Sequence, residues 1–400
     1  MYGGTITFGK RFTIITLSDL FMWLFMLLTY VVIAVNSAAI LFQIRFGILL
    51  IAGILGFCQM QSDEIKNIRI LFFVILCAFS WAVSFMMRGD GAYKPDLFLY
   101  SLLYMGLAVN MTSHRHNDIW AGILFYIVCG ISLFRLVVMG EPIRGFLKEG
   151  SSYNFISALI LLYLSYYCIA LNQNGKPIPY LAAFVFAWLC IVAYGRGGIV
   201  TGLFFLAIVT VLGVRDETNK SRRQMLALVT VLTIIIGGIV GFLYIRQNNY
   251  ELINKLFAKF YVRSNEKEPR LEIWSMYLTE CSKRVMTILF GANPDKVGYE
   301  GNLHNAFFQM YAHFGLLPFL LLVYSYIRLS VYTYRKKNMY LFCLLLTIAV
   351  RAMTDKIAFQ GYCEPLFYYA VFSWFNITEK QKMLSYEHIQ PHRQIQIGAQ

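Results

Sequence analysis

Charged residues are scarce in this 400-residue chain. Asp, Glu, Lys and Arg make up only 14% of it, hydrophobic residues make up 58%, and the mean hydropathy is +0.58. Soluble globular domains carry about 25% charged residues. This composition therefore excludes a water-soluble fold and indicates that most of the chain lies in a membrane.

Long polar stretches are also rare. The apolar residues form blocks of roughly 17–22 residues, and a helix of that length crosses a hydrocarbon core about 30 Å thick. Inside lipid such a block is helical, since a helix satisfies its own backbone hydrogen bonds. The blocks do not alternate apolar and polar residues. This absence of alternation excludes a transmembrane β-barrel.

The sequence predicts an all-α polytopic membrane protein with about twelve transmembrane helices. The predicted spans are 18–36, 40–60, 69–87, 95–112, 118–139, 154–171, 178–195, 197–213, 225–245, 306–327, 339–357 and 362–377. They divide the chain into helices 1–9 within residues 1–245, an extracytoplasmic loop at 246–305, helices 10–12 within 306–377, and a cytoplasmic tail at 378–400.

Basic residues predict the orientation of these spans. Lys10 and Arg11 precede the first span, and the densest basic clusters, 215–223 and 328–337, fall on the same side of the membrane by alternation. Because short basic loops face the cytoplasm, both termini are expected there. The net charge of +14 is spread between the apolar blocks, which excludes nucleic acid as a partner and indicates contact with membrane lipid.

The loop 246–305 contains apolar residues at helical spacing, around 252–260 and again from Leu271 to Cys281. This pattern predicts two amphipathic helices that lie on the membrane face. Pro269 suits the first turn of the second helix, and Gly291 suits the position after its end.

Motifs for metals and disulfides are missing. The 8 cysteines lie mostly inside apolar blocks without C-x-x-C spacing. They are interpreted as small apolar residues, and a Cys281–Cys363 disulfide is left open.

The predicted outer loops hold no acidic cluster at metal-ligand spacing, which argues against a metal-dependent oligosaccharyltransferase. We expect no metal and no cofactor, and we expect His114 and His116 to be solvated.

Cations recur on the predicted outer face, contrary to the usual bias. Arg196 and Arg351 lie there at the ends of spans with almost no loop. The planar fork of arginine binds phosphate through two parallel hydrogen bonds. The pattern therefore favours binding of a lipid-linked pyrophosphate, and simple anchoring at the membrane interface is the alternative.

Three segments carry a resemblance to a known family. They are HNAFFQMYAHFGLLPFLLLV from His304 to Val323, PRLEIWSMYL from Pro269 to Leu278, and YGRGGIVTGL from Tyr194 to Leu203. In this order and setting the chain resembles the O-antigen polymerase and O-antigen ligase superfamily. Members of that family carry a His-Asn pair before a Gly-Leu-rich helix, an Arg followed by Trp or Tyr, and an Arg-Gly pair at a periplasmic helix end.

The resemblance implies a multi-pass enzyme of the bacterial cytoplasmic (inner) membrane. Its substrate would be an undecaprenyl-pyrophosphate-linked oligosaccharide, joined into O-antigen, capsular polysaccharide or exopolysaccharide, with a flippase and a chain-length regulator of the same pathway as partners. A ligase that transfers glycan to lipid A core and an O-linked protein oligosaccharyltransferase are alternatives within the superfamily. A flippase is the alternative outside it, but charges are nearly lacking in the middle of the spans, and we expect Arg45 and Arg135 to reach the membrane surface.

The resemblance also suggests roles for individual residues. The attacking sugar hydroxyl must lose a proton, and a histidine suits that task near neutral pH. We assign His304 as the general base, Arg270 and Arg196 as pyrophosphate ligands, and Asn305 as an orienting group. Further candidates for substrate binding are Arg351, Arg144, Arg135 and Trp274.

Overall fold

A computed structural model describes residues 4–35, 39–62, 68–88, 95–140, 154–193, 195–216, 221, 269–297, 302–356, 359 and 361–378. Over these residues the chain is helical and contains no strand. The predicted all-α class is confirmed for the described part of the chain.

The helices follow one another through the described ranges. They are α1 (Gly4–Tyr30), α2 (Ala39–Ser62), α3 (Ile68–Arg88), α4 (Pro95–Ser113), α5 (Asp118–Leu133), α6 (Asn154–Gln173), α7 (Tyr180–Val192), α8 (Arg196–Asp216), α9 (Pro269–Ser282), α10 (Val285–Phe290), α11 (Ala306–Phe314), α12 (Leu316–Arg335), α13 (Met339–Thr354) and α14 (364–378). Helices α1 and α5 continue as π-helical segments, and a 3₁₀ turn follows α10: Val31–Val35, Phe134–Val138 and Pro294–Val297.

Among the described helices, 7 are long and apolar enough to cross a membrane. These stretches are Leu17–Ala34, Ala39–Gln59, Ile68–Met87, Asp118–Val138, Asn154–Gln173, Arg196–Arg215 and Leu316–Arg335. The chain therefore has the architecture of a polytopic membrane protein. The total of about twelve spans stays a prediction, and the predicted span 225–245 lies outside the described residues.

Helix α3 exposes a continuous apolar stripe. Ile68, Phe72, Ile75 and Phe79 are 72%, 60%, 57% and 60% exposed, whereas Phe73 is fully buried. Steps of four, three and four residues put the exposed side chains on one helix face. An apolar stripe of this length suits contact with lipid rather than with water.

Helix α6 lies at the centre of the bundle. In α6, 89% of the stretch that is long and apolar enough to cross a membrane is buried inside the protein. In the other six such stretches the buried share is 28–44%. It packs against α5, α7, α8 and α13. Because a helix that is apolar on all sides has to be surrounded by other helices, α6 provides the surface on which the bundle assembles.

Helices α2 and α4 approach each other closely at three glycines. A Cβ atom on Gly56 would lie 2.0 Å from the carbonyl oxygen of Gly106, and one on Gly106 would lie 2.2 Å from that of Gly53. Small residues at such spacing let two membrane helices pack backbone to backbone. This contact depends on the absence of side chains at all three positions.

The predicted span 306–327 is wrong in position. Gly315 has φ of +72° and separates α11 from α12, and the stretch long enough to cross the membrane is Leu316–Arg335. A side chain at position 315 would collide with the carbonyl oxygen of Leu289, 2.5 Å from the added Cβ. Arg328 therefore lies inside α12 and not in the predicted loop.

Two serines of α3 bind the ends of the short helices α10 and α11. Ser80 Oγ donates to the carbonyl oxygen of Phe314, and Ser84 Oγ donates to that of Phe290 over 2.6 Å. Helix ends leave carbonyl groups without intrahelical partners. Because these ends lie inside the protein, the serine hydroxyls replace the water that would otherwise bind them.

Only part of the predicted loop 246–305 is described. Helix α9 begins at Pro269, as predicted, but it ends at Ser282, and Gly291 ends the separate helix α10 instead. The first predicted amphipathic helix, around 252–260, lies outside the described residues.

Two further predictions concern the Cys281–Cys363 disulfide and the solvation of His114 and His116. All eight cysteines lie within the described ranges and are free, so the Cys281–Cys363 disulfide is not formed. The expectation that His114 and His116 are solvated is wrong. His116 is buried, and a ring nitrogen of each histidine lies within 3.0 Å of a carboxylate oxygen of Asp19.

The glycine contact between α2 and α4 leads to a stability prediction. Gly56→Ala should destabilise the protein by about 1–3 kcal/mol, because the new methyl group forces the two helices apart. Gly47→Ala is the matched control on the same helix, since no atom lies within 4 Å of its added Cβ, and it should be neutral or stabilising by up to about 1 kcal/mol. Thermal unfolding in detergent measures both, and equal midpoints for the two variants would contradict the close packing.

Candidate functional site

His304 lies in a short segment that is fixed by side chains from its surroundings. Its backbone N–H donates to Oδ1 of Asn302 over 2.9 Å, and the N–H of Leu303 donates to Oε1 of Gln309 over 3.2 Å. From α9, Trp274 Nε1 donates to the carbonyl oxygen of Leu303 over 2.8 Å. The His304 loop, residues 302–305, is therefore held in one conformation.

The backbone of His304 is strained. Its φ is +51°, a left-handed conformation that costs an L-residue about 1–2 kcal/mol. Strain of this kind persists only where the surroundings enforce it, and it is common at functional sites. The hydrogen bonds of the His304 loop supply that enforcement.

Asn305 caps the N-terminus of α11. Its Oδ1 accepts hydrogen bonds from the backbone N–H groups of Phe307 over 2.9 Å and Phe308 over 3.2 Å. A capping asparagine satisfies donors that a helix start leaves unpaired. Because this oxygen is engaged, Asn305 orients His304 through the backbone that they share.

Charged groups from α9 and from the end of α13 act electrostatically on the half-buried imidazole of His304. Burial lowers the pKa of His304 from its ordinary value of 6.5; the Asp355 carboxylate opposes the shift, while Arg270 and Lys356 add to it. The lowered pKa favours the neutral form of the ring near neutral pH. A neutral imidazole among cations can accept a proton while the cations stabilise a nearby anion.

Arg351 connects the end of α13 to the start of α6. It is 1% exposed, and its Nη2 donates to the carbonyl oxygen of Asn154 over 2.9 Å and lies 3.8 Å from Oδ2 of Asp355. Its Nη1 donates to Oγ1 of Thr354 over 2.9 Å, whereas its Nε has no hydrogen-bond partner among the described residues. Arg270 lies close enough to interact electrostatically with Arg351, so one charged cluster includes His304, Arg270, Arg351 and Asp355.

The Arg196-Gly197-Gly198 segment brings the start of α8 to the same place. A Cβ atom on Gly197 would lie 3.0 Å from Oγ1 of Thr354 and 3.1 Å from Nη1 of Arg351, and one on Gly198 would lie 2.4 Å from Oγ of Ser157. The two glycines thus let α8 begin against the ends of α13 and α6. Arg196, the first residue of α8, directly precedes this contact.

Trp274 lies between the His304 loop and an open groove along α9. The groove has a volume of about 510 Å³ and is lined by Leu271, Trp274, Ser275, Leu278, Thr279, Ser282 and Phe308. The indole ring packs against Phe308 with 5.7 Å between ring centroids. An aromatic ring beside hydroxyl groups offers both an apolar face and hydrogen bonds to a ligand.

The described contacts of Arg135, a predicted substrate-binding residue, lie away from this cluster. Arg135 Nη1 donates to the carbonyl oxygen of Ala34 at the end of the π-helical segment that follows α1, and Arg135 also interacts with Tyr30. Its described contacts connect α5 to α1 and are structural. Arg144 lies outside the described residues.

Sequence reasoning did not single out Gln309, Asn302 or Lys356 for the site. Gln309 had a detectable signal, because Gln309 and His313 are polar residues four positions apart in an apolar segment and therefore share one helix face. In the structure both are buried, with 3.2 Å between Nε2 of Gln309 and Nε2 of His313. Lys356 and Asn302 carry no comparable local signal.

Trp274→Phe should loosen the His304 loop while it preserves the aromatic packing. The variant loses the indole hydrogen bond to Leu303, which contributes about 0.5–1.5 kcal/mol, so amide hydrogens of residues 302–305 should exchange faster. Trp120→Phe is the matched control, because Trp120 is 57% exposed on α5. Hydrogen exchange measured by mass spectrometry distinguishes the variants, and unchanged protection in Trp274→Phe would contradict this role.

Comparison of the chain with protein-family models, curated proteins and solved structures finds no match.

Proposed function

We propose that this protein is a membrane glycosyltransferase that polymerises undecaprenyl-pyrophosphate-linked oligosaccharide repeat units into O-antigen, capsular polysaccharide or exopolysaccharide. The observation that carries the proposal is the position of His304, neutral and half-buried, within electrostatic reach of Arg270, Lys356 and Asp355. Such a site combines proton removal with stabilisation of an anionic leaving group. The resemblance of three sequence segments to the O-antigen polymerase and ligase superfamily, from which the roles of these residues were suggested, favours the same chemistry.

In the proposed reaction a sugar hydroxyl of one repeat unit attacks the anomeric carbon of another. His304 takes the hydroxyl proton as the new C–O bond forms, and the bond from the anomeric carbon to the pyrophosphate oxygen breaks. Arg270 and Arg196 bind the departing lipid pyrophosphate, whose charge develops in the transition state. No strong general acid is needed, because pyrophosphate leaves as an anion.

Arg351 suits a positioning role better than direct contact with substrate. Its Nη1 and Nη2 are engaged by Thr354 and Asn154, and Asp355 offsets its charge. Its proposed task is to hold the starts of α6 and α8 against the end of α13.

The buried charges favour an enzyme over a flippase. In the described part of the chain the buried charged residues include Arg45, Arg351, Asp355 and Glu364. All four lie near helix ends that the predicted topology places on the outer side. Arg45 is buried, with its guanidinium 5.7 Å from the ring centroid of Phe25 and 5.4 Å from that of Phe42. A transporter requires charges along a central pathway, and these charges instead surround one end of the bundle.

His304→Ala tests the proposal in cells that make the polysaccharide. Loss of a general base slows a reaction by about 10²–10⁴-fold, so polymer should disappear while single repeat units remain available for transfer. His388→Ala is the matched control, since His388 lies in the predicted tail, and protein levels are compared by immunoblot. Polymer of normal amount and length in a well-expressed His304→Ala strain would refute the assignment. Long polymer that accumulates on its lipid carrier would indicate the ligase instead.

The surroundings of His304 predict opposite pH shifts for two neighbouring substitutions. Since the pKa of His304 is lowered from 6.5 and the base acts when neutral, the reaction rate should fall as pH drops through a value below 6.5. Asp355→Asn removes an anion that favours the protonated ring and should move this fall to lower pH. Lys356→Gln removes a cation and should move it to higher pH. Rate–pH profiles of the purified proteins measure both, and shifts in the same direction would contradict the proposed base.

A further inference from the structure

Asp19, His114 and His116 form a compact group of ligand-type atoms outside the candidate functional site. Oδ1 of Asp19 lies 2.8 Å from Nε2 of His114 and 3.0 Å from Nδ1 of His116. The three potential ligand atoms all lie within 4.8 Å of one another. The group joins α1 to the turn between α4 and α5.

His116 is the most deeply buried member of the group. Its side chain is inaccessible to solvent, and its Nδ1 faces the Asp19 carboxylate. Nδ1 of His114 has no hydrogen-bond partner within the described ranges. One carboxylate oxygen thus serves both imidazoles, and an ion between the three groups would replace these contacts with coordination.

The backbone of His116 is held in place from the end of α6. Oε1 of Gln173 accepts its N–H over 3.1 Å, and Nδ2 of Asn174 donates to its carbonyl oxygen over 2.8 Å. Gln173 also donates to the carbonyl oxygen of Met111, near the end of α4, over 2.8 Å. These bonds fix the loop that carries both histidines, so the group is preorganised.

We propose that Asp19, His114 and His116 bind a divalent first-row transition ion of the zinc type. Such an ion lies about 2.0–2.2 Å from nitrogen and carboxylate ligands, so its neighbouring ligands are about 3–3.5 Å apart. The observed separations of 2.8 and 3.0 Å need only a small outward movement. Two imidazoles with one carboxylate suit this class of ion, whereas magnesium and calcium prefer oxygen ligands.

The group is open on one side. The Asp19 side chain is 35% exposed and that of His114 is 12% exposed, so an ion and its remaining water ligands can enter from the Asp19 side. The bound ion would attach the N-terminal helix to the α4–α5 turn, which otherwise depends on the Asp19–histidine contacts.

The ion site and the candidate functional site lie at opposite ends of α6. Asn154 at its start contacts Arg351, and Gln173 at its end contacts His116. The 20 residues of α6 span about 30 Å at 1.5 Å per residue. The ion is therefore structural, and its binding does not depend on the proposed glycosyltransferase activity.

Metal analysis of the full-length protein tests the proposal. Protein purified without a polyhistidine tag is stripped with chelator, dialysed against zinc or cobalt(II), and measured by mass spectrometry of the metal. About one tightly held ion per chain is expected, with a higher melting temperature in its presence, because binding to the folded state stabilises it. The cobalt form should absorb in the visible range without a thiolate band, which excludes the cysteines as ligands.

Variants show where the ion binds. Asp19→Asn preserves the shape of the side chain but removes its charge. Asp19→Asn and His114→Ala should each weaken binding of the zinc or cobalt ion by at least about 100-fold. His388→Ala and His392→Ala are matched controls in the predicted tail and should bind normally. If the unsubstituted protein retains neither zinc nor cobalt, the proposal is overturned, whatever the variants show. Normal binding by a folded Asp19→Asn protein would overturn it as well.

Discussion

Backbone hydrogen bonding inside an apolar environment is the constraint on which this structure depends. Where lipid surrounds the chain, a helix satisfies its own N–H and C=O groups, and the described residues are accordingly helical. Helix ends inside the bundle need other partners. Ser80 and Ser84 supply donors for the ends of α11 and α10, and Asn305 supplies an acceptor for the start of α11.

The same constraint explains why polar and charged side chains gather at helix ends. Arg351 binds the first backbone carbonyl of α6, and Trp274 binds the carbonyl of Leu303 just before α11. Backbone carbonyl groups at helix ends thus accept the hydrogen bonds that position residues of the candidate site. At the other end of α6, Gln173 and Asn174 hold the histidine-bearing loop in a similar way.

The sequence predicted the helices more accurately than the contacts between them. Apolar blocks predicted most of the described helices, and the start of α9 at Pro269 was correct, but the short helix α10 was not predicted. The position of the span near 306–327 was wrong, because the break at Gly315 depends on the nearby carbonyl oxygen of Leu289. For the site, the sequence pointed to His304, Arg270 and Arg351, which the structure brings into one charged cluster. It also pointed to Arg135, whose described contacts are with α1.

The sequence by itself determined that the chain is helical and suited to a membrane, because block length and apolar content are local properties that the bilayer selects. Only the tertiary structure decided which polar residues meet. Arg351 and Asn154 are 197 positions apart, and His114 and Asp19 are 95 positions apart. No local window of sequence contains both members of such a pair. Their contact follows from how helices far apart in the chain pack around α6, and that packing depends on close approaches such as those at Gly106 and Gly197.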